Sequence, residues 1–352
     1  MPGNNGDGKG KEPVTMSIDE KLYGVDLFGE SMRPPVTSPV AEKFLVPPFT
    51  VLNAREGNWQ ERKRAWAAMG IQGEIGRDAE SYNTGAPGDL SRQMRSEIGR
   101  RGITEALPES SKDDFTRLSV DCRNDLGTKG GVSIFDPVVC ELAYRWFTGE
   151  GAQIIDPFAG GSVRGIVASC LGRKYWGCDL RSEQIDANRV QCEALCNDPL
   201  PVWVCGDSLS HLDDAPPADF VFSCPPYGNL EEYSQDPVDL SFMDHSEFLV
   251  AYRDIIAKAC AKLRQDRFAC FVVGDFRDKR GNYRNFVSDT IKAFLDAGLQ
   301  LYNEAILVTS VGSACMRVTK QFEASRKFAK THQNVLVFVK GDPKKATLTI
   351  TK

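Results

Sequence analysis

From residue 132 to residue 339, short apolar runs alternate with helical stretches, and this rhythm constrains the fold more than any other feature. Strand–helix alternation of this kind builds a parallel sheet covered on both faces. An amphipathic helix fits residues 137–147, with Val138, Leu142, Tyr144 and Trp146 among its apolar positions. Strands are expected at 153–155, 175–178, 202–205, 220–223, 268–273, 302–309 and 334–339. Helices are expected at 165–171, 183–196, 247–263 and 286–297. A polar, basic insert separates the last two strands, which predicts an antiparallel hairpin at one edge of the sheet. The expected class is therefore α/β, doubly wound and mostly parallel.

The chain before residue 131 reads differently. Residues 1–40 are rich in Gly, Pro, Asn and charge and are expected to form a flexible arm. Residues 41–130 form an accessory segment and linker. Within it, residues 44–77 suggest a Pro-Pro turn, a short strand and a helix, with Asn58 as a cap and Glu61 as its capping-box partner. Trp59, Arg62, Lys63 and Trp66 recur at helical spacing. A face that mixes indole and cation suits phosphate contact or base stacking; the alternative places the indoles in the core. Residues 78–130 are polar and rich in Gly and Ser, as a linker is, and 343–352 read as a tail.

Two segments carry chemistry. The first is Ile154-Ile155-Asp156-Pro157-Phe158-Ala159-Gly160-Gly161-Ser162, between a strand and a helix. Glycines let the backbone turn sharply and approach a ligand with no Cβ in the way. Asp179 ends the next strand and Asp207 the one after. Acidic residues at successive strand ends behind a glycine turn suit a nucleoside, with Asp179 on the ribose hydroxyls and Asp207 near an adenine amino group. The sequence contains no G-x-x-x-x-G-K-[ST], which argues against nucleotide hydrolysis by a P-loop. The second segment is Phe220-Val221-Phe222-Ser223-Cys224-Pro225-Pro226-Tyr227-Gly228. Two prolines stop the strand and stiffen the turn, free the carbonyls of Cys224 and Pro225, and hold the Tyr227 ring for stacking on a planar base.

Asp-Pro-Phe-x-Gly-Gly-Ser followed by Pro-Pro-Tyr resembles the S-adenosylmethionine-dependent DNA amino-methyltransferases, which modify adenine N6 or cytosine N4. The resemblance covers roughly residues 132–340 and implies a Rossmann-like methyltransferase domain over 131–342. Residues 131–147 resemble the segment before the glycine loop in the β-type members, and Lys330-Thr331-His332-Gln333-Asn334 resembles the start of the closing strand. The cofactor loop precedes Pro-Pro-Tyr, so the order looks permuted relative to the β-type, and residues 44–77 look like methylase-like proteins of phages and actinobacteria. The resemblance implies that Asp156, Phe158, Gly160 and Gly161 cradle S-adenosylmethionine, with Asp179 on its ribose and Asp207 on its adenine. It places Phe135 and Asp136 near the methionine tail. Cys224, Pro225, Pro226 and Tyr227 then form the catalytic turn that receives a flipped base. The family carries Asp, Asn or Ser where this chain has Cys224. The thiol can stand in as a weak acceptor, Ser223 can substitute, or Cys224 can act as a nucleophile in pyrimidine C5 modification. RNA base methylation also fits the two motifs, and so does a degenerate core that only binds nucleic acid.

Charge bears on the partner. The chain is net −5, but residues 253–352 hold 19 Lys and Arg against 9 Asp and Glu. Screening makes this local excess the field that a polyanion meets. Arg277, Lys279, Arg280 and Arg284 in one loop, and Arg317, Lys320, Arg326, Lys327 and Lys330 in the late insert, are the expected contacts to double-stranded DNA. Self-association into a homodimer is left open. His211, His245 and His332 lack ligand spacing, so no metal is expected. Eleven scattered cysteines without a C-x-x-C pair read as reduced thiols of a cytoplasmic protein, in a bacterium or a phage-infected cell. No apolar run suits a membrane span or a secretory signal.

Overall fold

The computed structural model describes residues 16–36, 38–71, 135–227, 239–240, 242–309, 311 and 314–350. The linker expected at 78–130 lies outside them, as do residues 131–134 and Gly228. Eight strands form one sheet: β1 (Val51–Asn53), β2 (Gln153–Asp156), β3 (Lys174–Asp179), β4 (Val202–Cys205), β5 (Ala218–Ser223), β6 (Leu263–Val273), β7 (Gln300–Val308) and β8 (His332–Lys340). Their spatial order is β1-β7-β8-β6-β5-β2-β3-β4. β8 runs antiparallel to both of its neighbours, and every other pairing is parallel. Strand order therefore reverses between β5 and β2, the switch point at which open α/β sheets bind ligands beyond the strand carboxyl ends.

Period-two alternation divides the core. Ile154, Phe220, Phe222, Phe268, Cys270 and Val272 face one side, where they pack with Val138, Leu142 and Tyr144 of the helix Pro137–Phe147. Ile155, Val221, Ala269, Phe271 and Val273 face the other, against Phe248, Tyr252 and Ile256 of the helix His245–Lys262 and Phe294 of the helix Phe286–Asp296. Successive side chains in a strand point to opposite faces, so a strand buried on both sides must be apolar throughout. Residues 220–222 of β5 and 268–273 of β6 meet that requirement, which is why these stretches are legible in the sequence, whereas the polar start of β6 at residues 264–267 is not.

The amino-terminal region departs from expectation. Part of the expected arm is folded: Ser17 and Glu20 form a capping box on the helix Ile18–Tyr23, and Ile18 and Leu22 pack against the core. Asp19 pairs with Arg33 at 3.2 Å and with Arg62 at 2.6 Å. β1 pairs with β7, so the β7–β8 hairpin is not the sheet edge and the accessory segment is continuous with the sheet. The helix Gly57–Ala68 is preceded by Glu56 as its cap residue, with no side-chain cap, in place of the Asn58–Glu61 box. Its Trp59, Arg62 and Trp66 are buried. The indoles therefore serve the core and not base stacking. The expected tail contains the helix Pro343–Leu348, capped by Asp342. Among the described residues, no helix is long and apolar enough to cross a membrane.

Candidate active site

Asp156, the last residue of β2, is wholly buried and accepts four hydrogen bonds. Its Oδ1 accepts from the Phe158 N–H at 3.1 Å and the Ser223 hydroxyl at 2.5 Å. Its Oδ2 accepts from the Tyr175 hydroxyl at 2.7 Å and from Arg164 Nε at 2.5 Å. Arg164 also donates to the carbonyls of Phe158 and Ala159. Burial opposes the charge on Arg164, but the Asp156 carboxylate outweighs it and holds the guanidinium above its ordinary pKa. This buried pair pins the turn from beneath. Asp156 does not line the cavity above, which corrects its expected place in a cradle: it braces the glycine turn from below. Ser223 is committed to Asp156 and is likewise buried, so it cannot replace Cys224 at the Pro-Pro-Tyr turn.

Above that pair, Gly160 adopts φ +50° and donates its N–H to Asp179 Oδ2 at 2.9 Å. Its carbonyl accepts from Asn188 Nδ2 at 2.7 Å. The glycine turn is thus tied to the acidic end of β3, whose Asp179 Oδ1 also accepts the Arg181 N–H at 3.0 Å. Asp207 caps the short helix Ser208–His211 by accepting the Leu209 N–H. Ser208 donates to the Pro157 carbonyl at 2.5 Å, which joins this strand end to the glycine turn.

A cavity of about 350 Å³ opens over these strand ends. Phe135, Asp136, Phe158, Gly160, Gly161, Asp179 and Asp207 line it, and so do Cys224, Pro225, Pro226 and Tyr227. The two motifs therefore share one space. The Tyr227 ring packs edge-on to Phe286 at 6.1 Å and tilted to Phe276 at 6.4 Å. Its hydroxyl accepts from Gln333 Nε2 at 2.6 Å and lies 4.0 Å from Cys224 Sγ. Burial pushes the Tyr227 phenol well above its ordinary value, so it stays neutral. A larger groove of about 1680 Å³ lies at the opposite strand ends, beside Gln153, Lys174 and Val202, and none of the expected site residues lines it.

Several further residues line the cavity without a sequence signal that marks them as wall residues: Gln60, Lys63, Arg164, Arg181, Asp239 and Gln333. Arg164 follows Asp156 by eight positions, and no sequence spacing signals a pair that closes across a turn. Gln333 lies in the Lys330–Asn334 segment, where strand alternation alone could have nominated it.

The basic segments converge. Arg277 and Tyr283 form an antiparallel bridge, with the guanidinium 3.8 Å from the ring centroid. Lys330 Nζ lies 5.8 Å from the same ring. Lys330 also flanks Gly274, where a Cβ would sit 3.3 Å from Lys330 Cε and 3.9 Å from the Tyr227 hydroxyl. Lys327 approaches Gly281 of the Arg277 loop in the same way. Lys279, Arg280, Lys320 and Arg326 are exposed, Arg284 is half-buried, and the side chain of Arg317 lies outside the described residues. Burial lowers the Lys330 pKa below its ordinary value. No cluster of three metal-ligating side chains occurs among the described residues.

No protein-family model matches the chain, and no curated protein matches it. Solved structures with a similar arrangement include TrmN from Thermus thermophilus, at 16% identity over 58% of this chain and 49% of that one, with a TM-score of 0.41. A putative SAM-dependent methyltransferase from Streptococcus mutans aligns at 14% identity over 60% of this chain and 51% of its own, TM-score 0.42. A TehB-like SAM-dependent methyltransferase from Corynebacterium glutamicum aligns at 18% over 66% of this chain and 100% of its own, TM-score 0.37. The match thus spans about half the length of TrmN.

Proposed function

We propose that the chain transfers a methyl group from S-adenosylmethionine to an exocyclic amine of a flipped base in double-stranded DNA, adenine N6 or cytosine N4. One observation carries this reading: the glycine turn with its two acidic strand ends and the Pro-Pro-Tyr turn line the same cavity.

The donor set suits a nucleoside with a charged tail. Asp179 and Asp207 are acceptors at successive strand ends, and Gly160 places bare backbone between them. Asp179 would accept the ribose hydroxyls and Asp207 would lie by the adenine, while Phe158 lines the wall beside them. Phe135 and Asp136 would face the amino-acid tail. Bound S-adenosylmethionine supplies an electrophilic sulfonium methyl.

The remaining work belongs to the protein. An exocyclic amine is conjugated with its ring and is a weak nucleophile. Carbonyl acceptors at Cys224 and Pro225, held by two rigid residues, would accept hydrogen bonds from its N–H groups and draw its lone pair out of conjugation, and the proton displaced from nitrogen on methylation would pass to water. The neutral Tyr227 ring would stack on the extruded base, offsetting the few kcal/mol that flipping costs. Positioning and fixed dipoles thus supply most of the catalysis. Arg277, Lys327 and Lys330, gathered around Gly281 and Tyr283 of the loop after β6, would hold the phosphates that flank the base.

Incubating the full chain with duplex DNA and S-adenosylmethionine, then weighing the digested nucleosides by mass spectrometry, tests the proposal. N6-methyldeoxyadenosine or N4-methyldeoxycytidine is expected. Exclusive 5-methyldeoxycytidine, or methyl transfer to RNA alone, would overturn it.

A further inference from the structure

The cavity holds a cation that the accessory segment supplies. Lys63, on the helix Gly57–Ala68, lines the wall together with Gln60 of the same helix and Ala54 just before it. Neighbouring residues fix that helix in place. Arg62 pairs with Glu141 at 2.6 Å, and Trp66 Nε1 donates to Glu141 at 2.8 Å. Trp59 Nε1 donates to Asp136 Oδ2 at 3.1 Å. Glu141 and Asp136 belong to the helix Pro137–Phe147 and its cap, so the two helices are bolted together beside the cavity. Lys63 is the position on this face that stays open: its side chain is 41% exposed, whereas Arg62 is 3% exposed.

The Lys63 ammonium lies 3.5 Å from Asp136 Oδ2. That separation is longer than the ~2.7–2.9 Å of a close charge-assisted hydrogen bond. Asp136 already accepts from Trp59 and from the Val138 N–H at 2.9 Å. Lys63 therefore keeps donors to spare. Arg164 and Arg181 are the other cations on the described wall. Arg164 is committed to Asp156 and to two backbone carbonyls. Arg181 follows Asp179, at the strand end suited to ribose. A carboxylate and an ammonium side by side complement a zwitterion, whose α-ammonium faces the acid and whose α-carboxylate faces the base.

We infer that Lys63 binds the α-carboxylate of the amino-acid tail of the nucleoside ligand, so that the accessory helix completes the cofactor site. This rests on the nucleoside reading of the cavity given above. Titration calorimetry on the full chain with S-adenosylhomocysteine and with 5′-deoxy-5′-methylthioadenosine tests it, because the second ligand shares the nucleoside and the sulfur but lacks the amino-acid tail. Lys63→Met should weaken the first by about tenfold, as expected for a lost hydrogen bond between charged groups, and leave the second unchanged. Lys63→Arg should restore most of the loss. Equal weakening of both ligands would mean a merely structural role and would overturn the inference, and so would no change in either. Intact affinity for S-adenosylhomocysteine with lost DNA retention would place Lys63 on the substrate side and overturn it too. An unaltered chain that binds neither ligand would remove the nucleoside reading itself, an outcome distinct from all of these.

Discussion

Gln333 Nε2 donates to the Tyr227 hydroxyl at 2.6 Å, tying the antiparallel strand β8 to the Pro-Pro-Tyr turn. The bond holds the tip of the ring in place, while packing on Phe276 and Phe286 restrains the ring from the sides. Gln333→Leu and Tyr227→Phe should each lower methyl transfer by about tenfold, and the double variant should be no worse than either single one, because both remove one interaction. Rates measured under single-turnover conditions check this; additive losses would show that the two side chains act separately.

Removing the ring is a different test. Tyr227→Ala should lower transfer by about 10- to 100-fold, since base–aromatic stacking contributes about 1–3 kcal/mol and the base would lose its platform. Cofactor affinity should change by less than about twofold. Calorimetry beside the transfer assay separates the two, and an unchanged rate would refute the stacking role.

Cys224 stands where the sulfur meets the cavity, 4.0 Å from the Tyr227 hydroxyl. If backbone carbonyls hold the amine, Cys224→Ser should preserve or raise the rate. Covalent attack on a pyrimidine needs the thiolate, so the same change would then eliminate the product. Mass spectrometry of the nucleosides after reaction with each protein decides between them.

Breaking the pair beneath the glycine turn should be costly. Asp156→Ala leaves the Arg164 guanidinium buried and uncompensated, which costs about 3–5 kcal/mol. Thermal unfolding should register that loss, and nucleoside binding should fail with it although Asp156 does not line the cavity.

Asp219 gives the fold a defined acid response. Burial acts to raise its carboxyl, but the Gln153 N–H and the guanidinium groups of Arg264 and Arg267 outweigh that and hold it below the ordinary 3.8. The Gln153 N–H donates to it at 3.0 Å, and Arg264 and Arg267 approach at 2.8 and 3.1 Å. A carboxyl with a lower folded than unfolded pKa contributes fully above the unfolded value and loses that contribution as pH falls through the folded one. Asp219→Asn should cost about 1–2 kcal/mol near neutrality and flatten the loss of stability below about pH 4. Denaturant titrations across that range measure both effects.

Legibility tracks how local the signal is. Residues 220–222 of β5 and 268–273 of β6 are readable as unbroken apolar runs, and the helix Phe286–Asp296 by its helical period. The glycine turn and the Pro-Pro-Tyr turn are readable because backbone geometry restricts residue choice there. Asp156 reads as a ligand contact because a sequence shows a carboxylate but not the guanidinium beneath it. β1 escapes as a sheet member: its three residues pair with a strand near the other end of the chain, and no local pattern encodes such a partner. Gln60 escapes as a wall residue for the same reason, whereas Lys63 is legible as a cation on a helical face but not as a neighbour of the glycine turn.

The pairing of Val51–Asn53 with Ile306–Val308 sets an order of events during synthesis. A strand needs a neighbour for its backbone donors and acceptors, and this one waits while roughly 250 further residues leave the ribosome. The stretch translated early thus settles into the sheet late. A nascent chain arrested before residue 300 should leave this stretch open to protease while the parallel centre resists.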